Sequence, residues 1–324
     1  MTNRVRTKLF HGSCKVLLAI AMVCTFMAVT WAGDEQQDDF VVLKQQFDEA
    51  NENKDHSKAL EIVMKMNEIT EPRHYETLYD IASLHALLGN KNKAYEYLNK
   101  AIDAGFWNIQ QLRQDEDFAS IREETYFREL SRKAWSNGYL AMLERPEREE
   151  YQKKDEIMKT LELKPGQRVA DIGAGSGYFT IPVAKAVGPT GKVWAIDIFQ
   201  EMLTYIDRRL KAEQLENVEL LKVERDDPQL PPAGVDMILM VDTYHYIQNR
   251  TEYAKKLREG LAPGGQVVVI DFIPKPWEER PWGPPPEQHL SKEMLNSEMA
   301  EAGLKVVKDH DFLPEQYFVV YEAQ

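Results

Sequence analysis

The pattern of apolar and polar positions changes once along the chain, near residue 135. From 36 to about 135 the apolar residues recur at helical spacing, so this region is predicted to contain helices only. After 135, short apolar runs rich in Val and Ile alternate with amphipathic segments of helix length. The runs are RVADIG (168–173), KVWAIDI (192–198), VELLKV (218–223), VDMILMVD (235–242) and QVVVIDFI (266–273). Alternation of this kind predicts a parallel sheet with helices on both faces.

The end of the chain adds a helix over 291–304 and two further strands, 305–312 and 316–323. Only the three residues LPE separate these strands. So short a connection cannot cross over the sheet, and the two strands must therefore be antiparallel neighbours. The pattern predicts an α/β domain with a seven-stranded sheet whose last strand is antiparallel, preceded by an all-α domain.

Within the helical region, residues 75–105 predict two helices that break at Gly89-Asn90. Their spacing resembles one tetratricopeptide repeat, for which the residues on pattern are Leu78, Ala82, Gly89, Ala94, Leu98 and Ala101. One repeat cannot bury its own apolar face, so we expect these helices to pack against their neighbours. The region is either a helical cap on the second domain or a groove that binds a protein partner.

The first 32 residues have a different character. Four basic residues precede or open a charge-free apolar run over 16–32, and the acidic segment GDEQQDD (33–39) follows. This layout is typical of a secretory signal with cleavage after Ala32. The run has 17 residues where a membrane span needs about 20, so a retained membrane anchor is the alternative. Either interpretation predicts export of the rest of the chain, and contact with a membrane only through 16–32. The predicted domains are 1–32, 33–135 and 136–324.

Composition and net charge indicate which kinds of chemistry and which partners are unsuited to this chain. With 324 residues, 43% apolar and 29% charged, the chain is of a size and type expected for two soluble domains. Both cysteines, Cys14 and Cys24, lie in the first segment, so a cleaved chain would have no thiol chemistry. Cleavage would also move the net charge from −13 to −17, which disfavours a nucleic-acid partner. The seven histidines are scattered without the spacing of metal ligands, so no metal is expected.

The stretch VADIGAGSGYFT (169–180) leads from the first strand of the sheet into a helix, where a glycine turn lets a ligand approach the backbone. A dinucleotide turn, G-x-G-x-x-G, would need glycine at Tyr178, whereas the third glycine is Gly177. Asp171 stands two residues before Gly173, and a carboxylate about 4 Å from a phosphate costs roughly 4 kcal/mol of repulsion. The turn therefore predicts a phosphate-free, positively charged ligand such as S-adenosylmethionine.

Two further acidic positions suit such a ligand. Asp197 ends the second strand, where a carboxylate can accept both hydroxyls of a ribose. After the third strand comes ERDDP (224–228), in which Glu224, Asp226 or Asp227 could accept from an adenine amine. The sequence leaves open which of the three does so.

Residues 169–324 resemble a class I S-adenosylmethionine-dependent methyltransferase. The resemblance rests on VADIGAGSGYF (169–179), on WAIDI (194–198) and on VDMILMVDTYHYI (235–247). It implies a Rossmann-like seven-stranded sheet, S-adenosylmethionine as cofactor, and transfer of a methyl group to a small-molecule or protein acceptor. The cofactor-binding residues that it implies are Asp171, Gly173, Ala174, Gly175, Gly177, Asp197, Ile198, Asp226, Asp227 and Asp242.

The segment DTYHYI (242–247) follows the fourth strand, at the edge of the sheet where ligands of open parallel sheets bind. His245 is the candidate general base, with Tyr244 beside it; the alternative is a histidine that is only packed or hydrogen-bonded locally. The proline-rich segment 274–289 either covers an acceptor pocket, with Trp277, Trp282 and His289 facing the substrate, or is a surface loop.

Other interpretations remain at this point. Arg145 and Arg148 either close over the cofactor or pair with the neighbouring glutamates. A non-catalytic interaction protein, which keeps the methyltransferase fold as a scaffold and binds a partner through its helices, is the main functional alternative. A nicotinamide oxidoreductase would require glycine at 178, and a serine hydrolase would require a nucleophile elbow that Ala174 interrupts.

Overall fold

The computed structural model describes residues 34–70 and 74–324, so the signal or anchor predicted for 1–32 lies outside the described residues. The described chain forms two compact units. The first contains the described residues up to 104 together with 117–121, and the second contains 105–116 and 122–324. Among the helices of the described ranges, none combines the length and apolar character needed to cross a bilayer.

The first unit is all-helical, with α1 (Asp34–Glu52), α2 (His56–Ile69), α3 (Tyr75–Leu87) and α4 (Lys91–Asp103) packed in sequence order. The Asp55 carboxylate caps α2 by accepting from the Lys58 amide at 3.1 Å. Gly89 has a φ of +74°, which ends α3 at the predicted break. The prediction of a helical N-terminal region is confirmed, and its identity as a tetratricopeptide repeat stays a prediction.

The second unit holds the remaining elements. Its helices are α5 (Ile109–Gln114), α6 (Thr125–Leu143), α7 (Arg148–Gln152), α8 (Lys154–Thr160), α9 (Thr180–Val187), α10 (Gln200–Glu213), α11 (Arg250–Gly260) and α12 (Lys292–Glu301). Its strands are β1 (Arg168–Ile172), β2 (Lys192–Asp197), β3 (Val218–Lys222), β4 (Val235–Val241), β5 (Leu261–Phe272), β6 (Leu304–His310) and β7 (Gln316–Ala323). Helix α6 runs through residue 135, where the sequence pattern placed the domain boundary.

The seven strands form one sheet in the order β3-β2-β1-β4-β5-β7-β6. Strand β7 is antiparallel to β5 and β6, and the other pairs are parallel. This confirms the seven-stranded sheet and its antiparallel last strand. The strand order reverses between β1 and β4, and such a switch point opens a crevice at the carboxyl ends of the strands.

Strand β4 shows why its sequence is almost wholly apolar. Ile238 and Met240 belong to the core on one face of the sheet, whereas Met237, Leu239 and Val241 belong to the core on the other face. Because helices cover both faces, every position of β4 is buried except Asp236, near its start. The polar residues that follow the strands are thus left to line the crevice.

Candidate active site

A cavity of about 310 Å³ opens at the carboxyl ends of β1, β2 and β4; we call it the first cavity. The loop after β1 forms its floor, the residues after β2 and β3 form one wall, and α6 forms part of the other. Of the predicted cofactor-binding residues, those on the first cavity are Gly173, Ala174, Gly175, Asp197, Ile198 and Asp242.

The glycine turn is held against β2. The amides of Gly173 and Ala174 both donate to the Ile196 carbonyl, at 2.8 and 3.1 Å. Gly173 has a φ of +75°, in the left-handed region that favours glycine. A Cβ on Gly173 would lie 2.6 Å from the Thr243 methyl group and closer still to its Oγ1. This position therefore needs glycine for its backbone conformation and for its close approach to the loop after β4.

Gly173→Ala is expected to lower the free energy of unfolding by about 1–3 kcal/mol more than Gly264→Ala does, because overpacking costs that much. Gly264 is a matched control, since it has the same φ of +75° and a Cβ added there would have nothing within 4 Å. Urea denaturation of the two variants measures the difference. If both variants lose the same free energy of unfolding, the Thr243 side chain moves aside without a cost in stability.

Asp197 lies at the end of β2 with its side chain nearly buried on the first cavity. Its two carboxylate oxygens accept from the amides of Gly175, at 2.8 Å, and Phe199, at 2.9 Å. Burial raises the pKa of this carboxyl, and the backbone hydrogen bonds oppose that shift. Each oxygen keeps a lone pair, so the carboxylate can still accept a diol.

The rest of the first cavity fits S-adenosylmethionine. Ser176 lines the cavity, and its buried hydroxyl has no hydrogen-bond partner in the part of the chain that the structure describes, so it can bond to a ligand. Ile198, Phe199 and Val223 give an apolar wall suited to an adenine ring. Of the three acidic candidates after β3, Glu224 lines the cavity.

Arg148 and Asp242 present opposite charges where the first cavity meets a second one. Arg148 is buried and donates to the Leu143 carbonyl at 2.8 Å and to Gln152, yet has no ion pair among the described residues. The Asp242 carboxylate accepts from the amides of Gln152, at 3.2 Å, and Gln316. A cation and an anion side by side suit the carboxylate and ammonium of an amino-acid moiety.

Asp242 has an uncommon backbone conformation and a carboxyl group with a raised pKa. Its φ is +52°, a left-handed conformation that is uncommon for any residue other than glycine and that often occurs at functional sites. Burial raises the pKa of its carboxyl to about 6, while the nearby Arg148 guanidinium acts in the opposite direction. The carboxylate is therefore charged at neutral pH, although its burial disfavours the charged form.

The second cavity, of about 110 Å³, adjoins the first and shares Tyr139, Leu143, Arg148, Asp242 and Tyr246 with it. Its own residues are Met142, Arg145, Tyr151, His245, Phe272, Gly283 and Pro284. The lining is aromatic with a few charged groups, as in many small-molecule sites. A ligand there would lie beside whatever occupies the first cavity.

His245 lies on the second cavity with a fixed ring. Its Nδ1 is 2.6 Å from the Asp271 Oδ1, and its backbone amide donates to the Asp271 Oδ2 at 3.1 Å. A carboxylate only accepts hydrogen bonds, so Nδ1 carries the ring proton and Nε2 has the lone pair. Nε2 is buried and has no hydrogen-bond partner within the described ranges. The pair therefore has the arrangement of a general base oriented by an acid.

Tyr244, the other catalytic candidate, lies elsewhere. It is fully buried in the core, lines neither cavity, and its hydroxyl donates to the Arg250 carbonyl at 3.0 Å. Tyr246 occupies the cavities instead, with its ring 4.0 Å from the His245 ring. The short 3₁₀ helix Tyr244–Tyr246 turns the three consecutive side chains in different directions.

Four predicted cofactor-binding residues do not lie on the first cavity. Gly177 packs its backbone against Ile206, where a Cβ would lie 3.1 Å from the Ile206 Cγ1. The Asp226 carbonyl accepts from the Lys256 ammonium, and the Asp227 carboxylate lies 3.5 Å from it. The Asp171 carboxylate accepts from the Thr180 hydroxyl at 2.5 Å, at the start of α9. Asp171 is buried beneath the turn, and the carboxylates that line the first cavity are those of Asp197, Glu224 and Asp242.

Burial raises the pKa of the Asp171 carboxyl to about 6 from an ordinary value of 3.8. A raised pKa stabilises the fold below about pH 4, and that contribution is lost as the pH rises through about 6. Relative to Asp171→Asn, the wild type should lose on the order of 3 kcal/mol of unfolding free energy between pH 4 and pH 7.5. Urea denaturation at both values measures this.

Asp236→Asn is the comparison variant, because the Arg168 guanidinium lowers the pKa of the Asp236 carboxyl. The stabilising contribution of Asp236 is present at neutral pH and is lost on acidification. Relative to Asp236→Asn, the wild type should therefore lose unfolding free energy as the pH falls, the opposite of the change expected for Asp171. An Asp171→Asn difference that stays constant with pH would contradict the burial of a charge at Asp171.

Several cavity residues were not found from the sequence. Trp135, Tyr139 and Leu143 come from α6, whose residues carried no motif. Asp271 could have been found, because it ends the apolar run VVVID as Asp197 ends WAID. Acidic residues at the ends of neighbouring parallel strands converge on one edge of a sheet.

The proline-rich segment borders the second cavity through Gly283 and Pro284. Trp282 supports them by packing on Tyr151, with ring centroids 4.6 Å apart. Trp277 is half-exposed and lines neither cavity, and the His289 Nε2 lies 3.1 Å from the Pro284 carbonyl. Within the described ranges, no three His, Cys, Asp or Glu side chains gather as metal ligands would.

Comparison with known proteins identifies the family. A family model described as "Methyltransferase domain" matches residues 170–267. A crystal structure of a SAM-dependent methyltransferase from Aquifex aeolicus is 31% identical, with a TM-score of 0.52, over 57% of this chain and 96% of that one. The chain belongs to the S-adenosylmethionine-dependent methyltransferases. It is therefore an enzyme that uses S-adenosylmethionine as its cofactor.

Two curated relatives of this methyltransferase match a shorter segment. A demethylmenaquinone methyltransferase from Geobacillus is 26% identical over 118 residues, which is 36% of this chain and 50% of the relative. The ubiquinone/menaquinone biosynthesis C-methyltransferase UbiE of Burkholderia mallei is 33% identical over 116 residues, 36% of this chain and 47% of the relative. The methyltransferase thus spans about half the length of the curated relatives that it matches.

Proposed function

We propose that this methyltransferase methylates a ring hydroxyl of a small aromatic molecule bound in the second cavity, with His245 as the general base. The observation that carries the proposal is the buried, unpartnered Nε2 of His245, whose ring Asp271 holds at 2.6 Å. A bound S-adenosylmethionine supplies an electrophilic methyl group, so the protein has to position the acceptor, remove its proton and exclude water.

The aromatic character of the acceptor follows from the lining. Tyr139, Tyr151, Tyr246 and Phe272 surround the second cavity, and aromatic rings pack favourably on one another. The volume of about 110 Å³ is smaller than that of an engineered cavity of about 150 Å³ that holds benzene, so the second cavity admits no more than one ring and excludes a fused ring system.

The presence of a general base, His245, indicates that the reacting group of the acceptor is a hydroxyl. A ring hydroxyl keeps its proton at neutral pH, so its oxygen needs a base within hydrogen-bond reach as it becomes nucleophilic. His245 Nε2 can accept that proton, and Asp271 stabilises the resulting imidazolium. The Burkholderia relative is named a ubiquinone/menaquinone biosynthesis C-methyltransferase, which makes a ring carbon activated by the same hydroxyl the alternative acceptor atom.

Methyl transfer to defined phenols tests the proposal. The purified chain would be incubated with methyl-labelled S-adenosylmethionine and a panel of phenols, catechols and hydroxybenzoates, with anilines and thiophenols of matching shape as controls. We expect label in an aryl methyl ether, identified by mass spectrometry. Label on a ring carbon would show that the acceptor atom is this carbon rather than the hydroxyl oxygen. Label only in the amine or thiol series would overturn the proposal.

A further inference from the structure

The two arginines near the second cavity differ in position. Arg148 lines both cavities, whereas Arg145 lines the second cavity and not the first. S-adenosylmethionine has one carboxylate, and Arg148 is placed to bind it. The charge of Arg145 is therefore left for a group in the second cavity.

The structure describes no anionic partner for Arg145. Among the described residues it forms no ion pair, and its Nε is buried without a hydrogen-bond partner. Its guanidinium lies 5.2 Å from the centre of the Trp282 ring and 5.6 Å from that of Tyr151. Cation–π contacts of this kind fix the guanidinium plane while they leave its N–H groups able to bind an anion.

The Tyr151 hydroxyl adds a second donor. It accepts from the Arg145 Nη2 at 3.2 Å, and its own proton has no acceptor in the described part of the chain. Burial raises the pKa of the Tyr151 hydroxyl, so it stays protonated at neutral pH. Arg145 and Tyr151 together offer several N–H and O–H donors on one side of the cavity, as carboxylate recognition requires.

The carboxylates nearby do not cancel this charge. Asp242 lies on the second cavity but forms no ion pair with Arg145 in the described part of the chain, and its charge is placed for the ammonium of the cofactor, whereas Asp271 is hydrogen-bonded to His245. A different, outer cavity is lined by Arg145, Tyr151 and Trp282 together with Glu147, Glu150 and Glu315, and none of these glutamates forms an ion pair with Arg145 among the described residues. Three carboxylates on the outer cavity would repel a further anion there. An anion would therefore bind Arg145 from the second cavity rather than from the outer one.

We infer that the acceptor is a single-ring hydroxylated aromatic carboxylate, whose carboxylate binds Arg145 and Tyr151 while its ring hydroxyl faces His245. The inference rests on the proposed function for the hydroxyl, and on Arg145 and Tyr151 for the carboxylate. Arg145 is thus a specificity-determining residue that acts away from the reacting oxygen.

Equilibrium binding tests the carboxylate without any turnover. The full chain, saturated with S-adenosylhomocysteine, would be titrated calorimetrically with the mono- and dihydroxybenzoates and with phenol and catechol, the same rings without a carboxylate. At least one hydroxybenzoate is expected to bind about 10–100-fold more tightly than its parent ring, as a charge-assisted hydrogen-bonded pair contributes. Affinity no greater than that of the parent ring for every hydroxybenzoate would overturn the inference.

Variants assign the effect to Arg145. Arg145→Gln should remove the preference for the hydroxybenzoate and leave the affinity for its parent ring within about threefold. Arg145→Lys, which keeps the charge but lacks the planar fork, should retain part of the preference. Arg208→Gln, an exposed change on α10, should alter neither. If Arg145→Gln weakens the parent ring equally, Arg145 has only a structural role and the inference fails.

The inference and the proposed function can fail separately. A hydroxybenzoate that binds through Arg145 but receives no methyl group from the wild type would contradict the role of His245 and leave the carboxylate site standing. If catechol is methylated but the hydroxybenzoates bind no more tightly than their parent rings, the role of His245 as the base is supported and the carboxylate site at Arg145 is overturned.

Discussion

His245→Ala is expected to lower kcat for methylation of the acceptor by about 10²–10⁴-fold, the contribution typical of a positioned general base. The expected cause is the loss of the imidazole lone pair of His245, a residue that lines the second cavity. The affinity for S-adenosylhomocysteine should stay within about threefold, because His245 does not line the first cavity. Initial rates at saturating acceptor, with calorimetry for the cofactor product, measure both quantities.

Asp271→Asn distinguishes an oriented base from an isolated histidine. The Asp271 carboxylate accepts from His245 at 2.6 Å and from the Phe272 amide at 2.8 Å. An asparagine amide can donate to Nδ1 and so favour the wrong tautomer, which should lower kcat as well. The double variant should be no slower than His245→Ala, since residues that act as a unit are not additive. His74→Ala, an exposed change in the first unit, is the control.

Activity within threefold of wild type in His245→Ala would show that the histidine is only packed. The proton would then have to leave to water or to another group on the second cavity. Additive losses in the double variant would show that Asp271 acts independently of the base and has only a structural role at the end of β5.

Asp197→Ala is expected to weaken binding of S-adenosylhomocysteine by roughly 100-fold, or about 3 kcal/mol, because hydrogen bonds to a charged group contribute about 1.5–3 kcal/mol each. The side chain lies on the first cavity at the end of β2, and it also holds the Gly175 amide at 2.8 Å. Its loss therefore removes a ligand acceptor and loosens the glycine turn.

Asp197→Asn separates these two contributions, since an asparagine oxygen can still accept from a backbone amide but has no charge. We expect about tenfold weaker binding for this variant. Asp207→Asn, on α10 with its carboxylate 2.6 Å from Lys211, is the matched control and should bind as wild type does. Binding by Asp197→Ala within threefold of wild type would place the ribose elsewhere.

Much of the architecture could be predicted because it follows from short-range patterns. Val- and Ile-rich runs predicted all seven strands, and the three-residue connection LPE predicted their antiparallel end. Gly173 and Asp197 could be placed because each directly follows or ends a strand, and the carboxyl ends of parallel strands share one edge of the sheet.

The orientation of side chains within those segments was beyond the sequence. Tyr244, His245 and Tyr246 are consecutive, yet the 3₁₀ helix buries the first in the core and brings the other two to the second cavity. Asp171 and Asp197 both lie in strands that end near the turn, but only Asp197 lines the cavity. A shift of one position along a strand or turn reverses the direction of a side chain, and local composition does not record it.

By itself, the sequence determined the helical region, the seven strands and a cofactor turn without the spacing for a pyrophosphate, because these depend on periodicity and on neighbours in the chain. The tertiary structure alone decided the second cavity. Its charged groups come from α7 (Arg148), from the loop before it (Arg145) and from the end of β4 (Asp242), almost a hundred residues further along. Packing of the sheet brings His245 and Asp271 together across 26 residues, and long-range packing of this kind has no local sequence pattern.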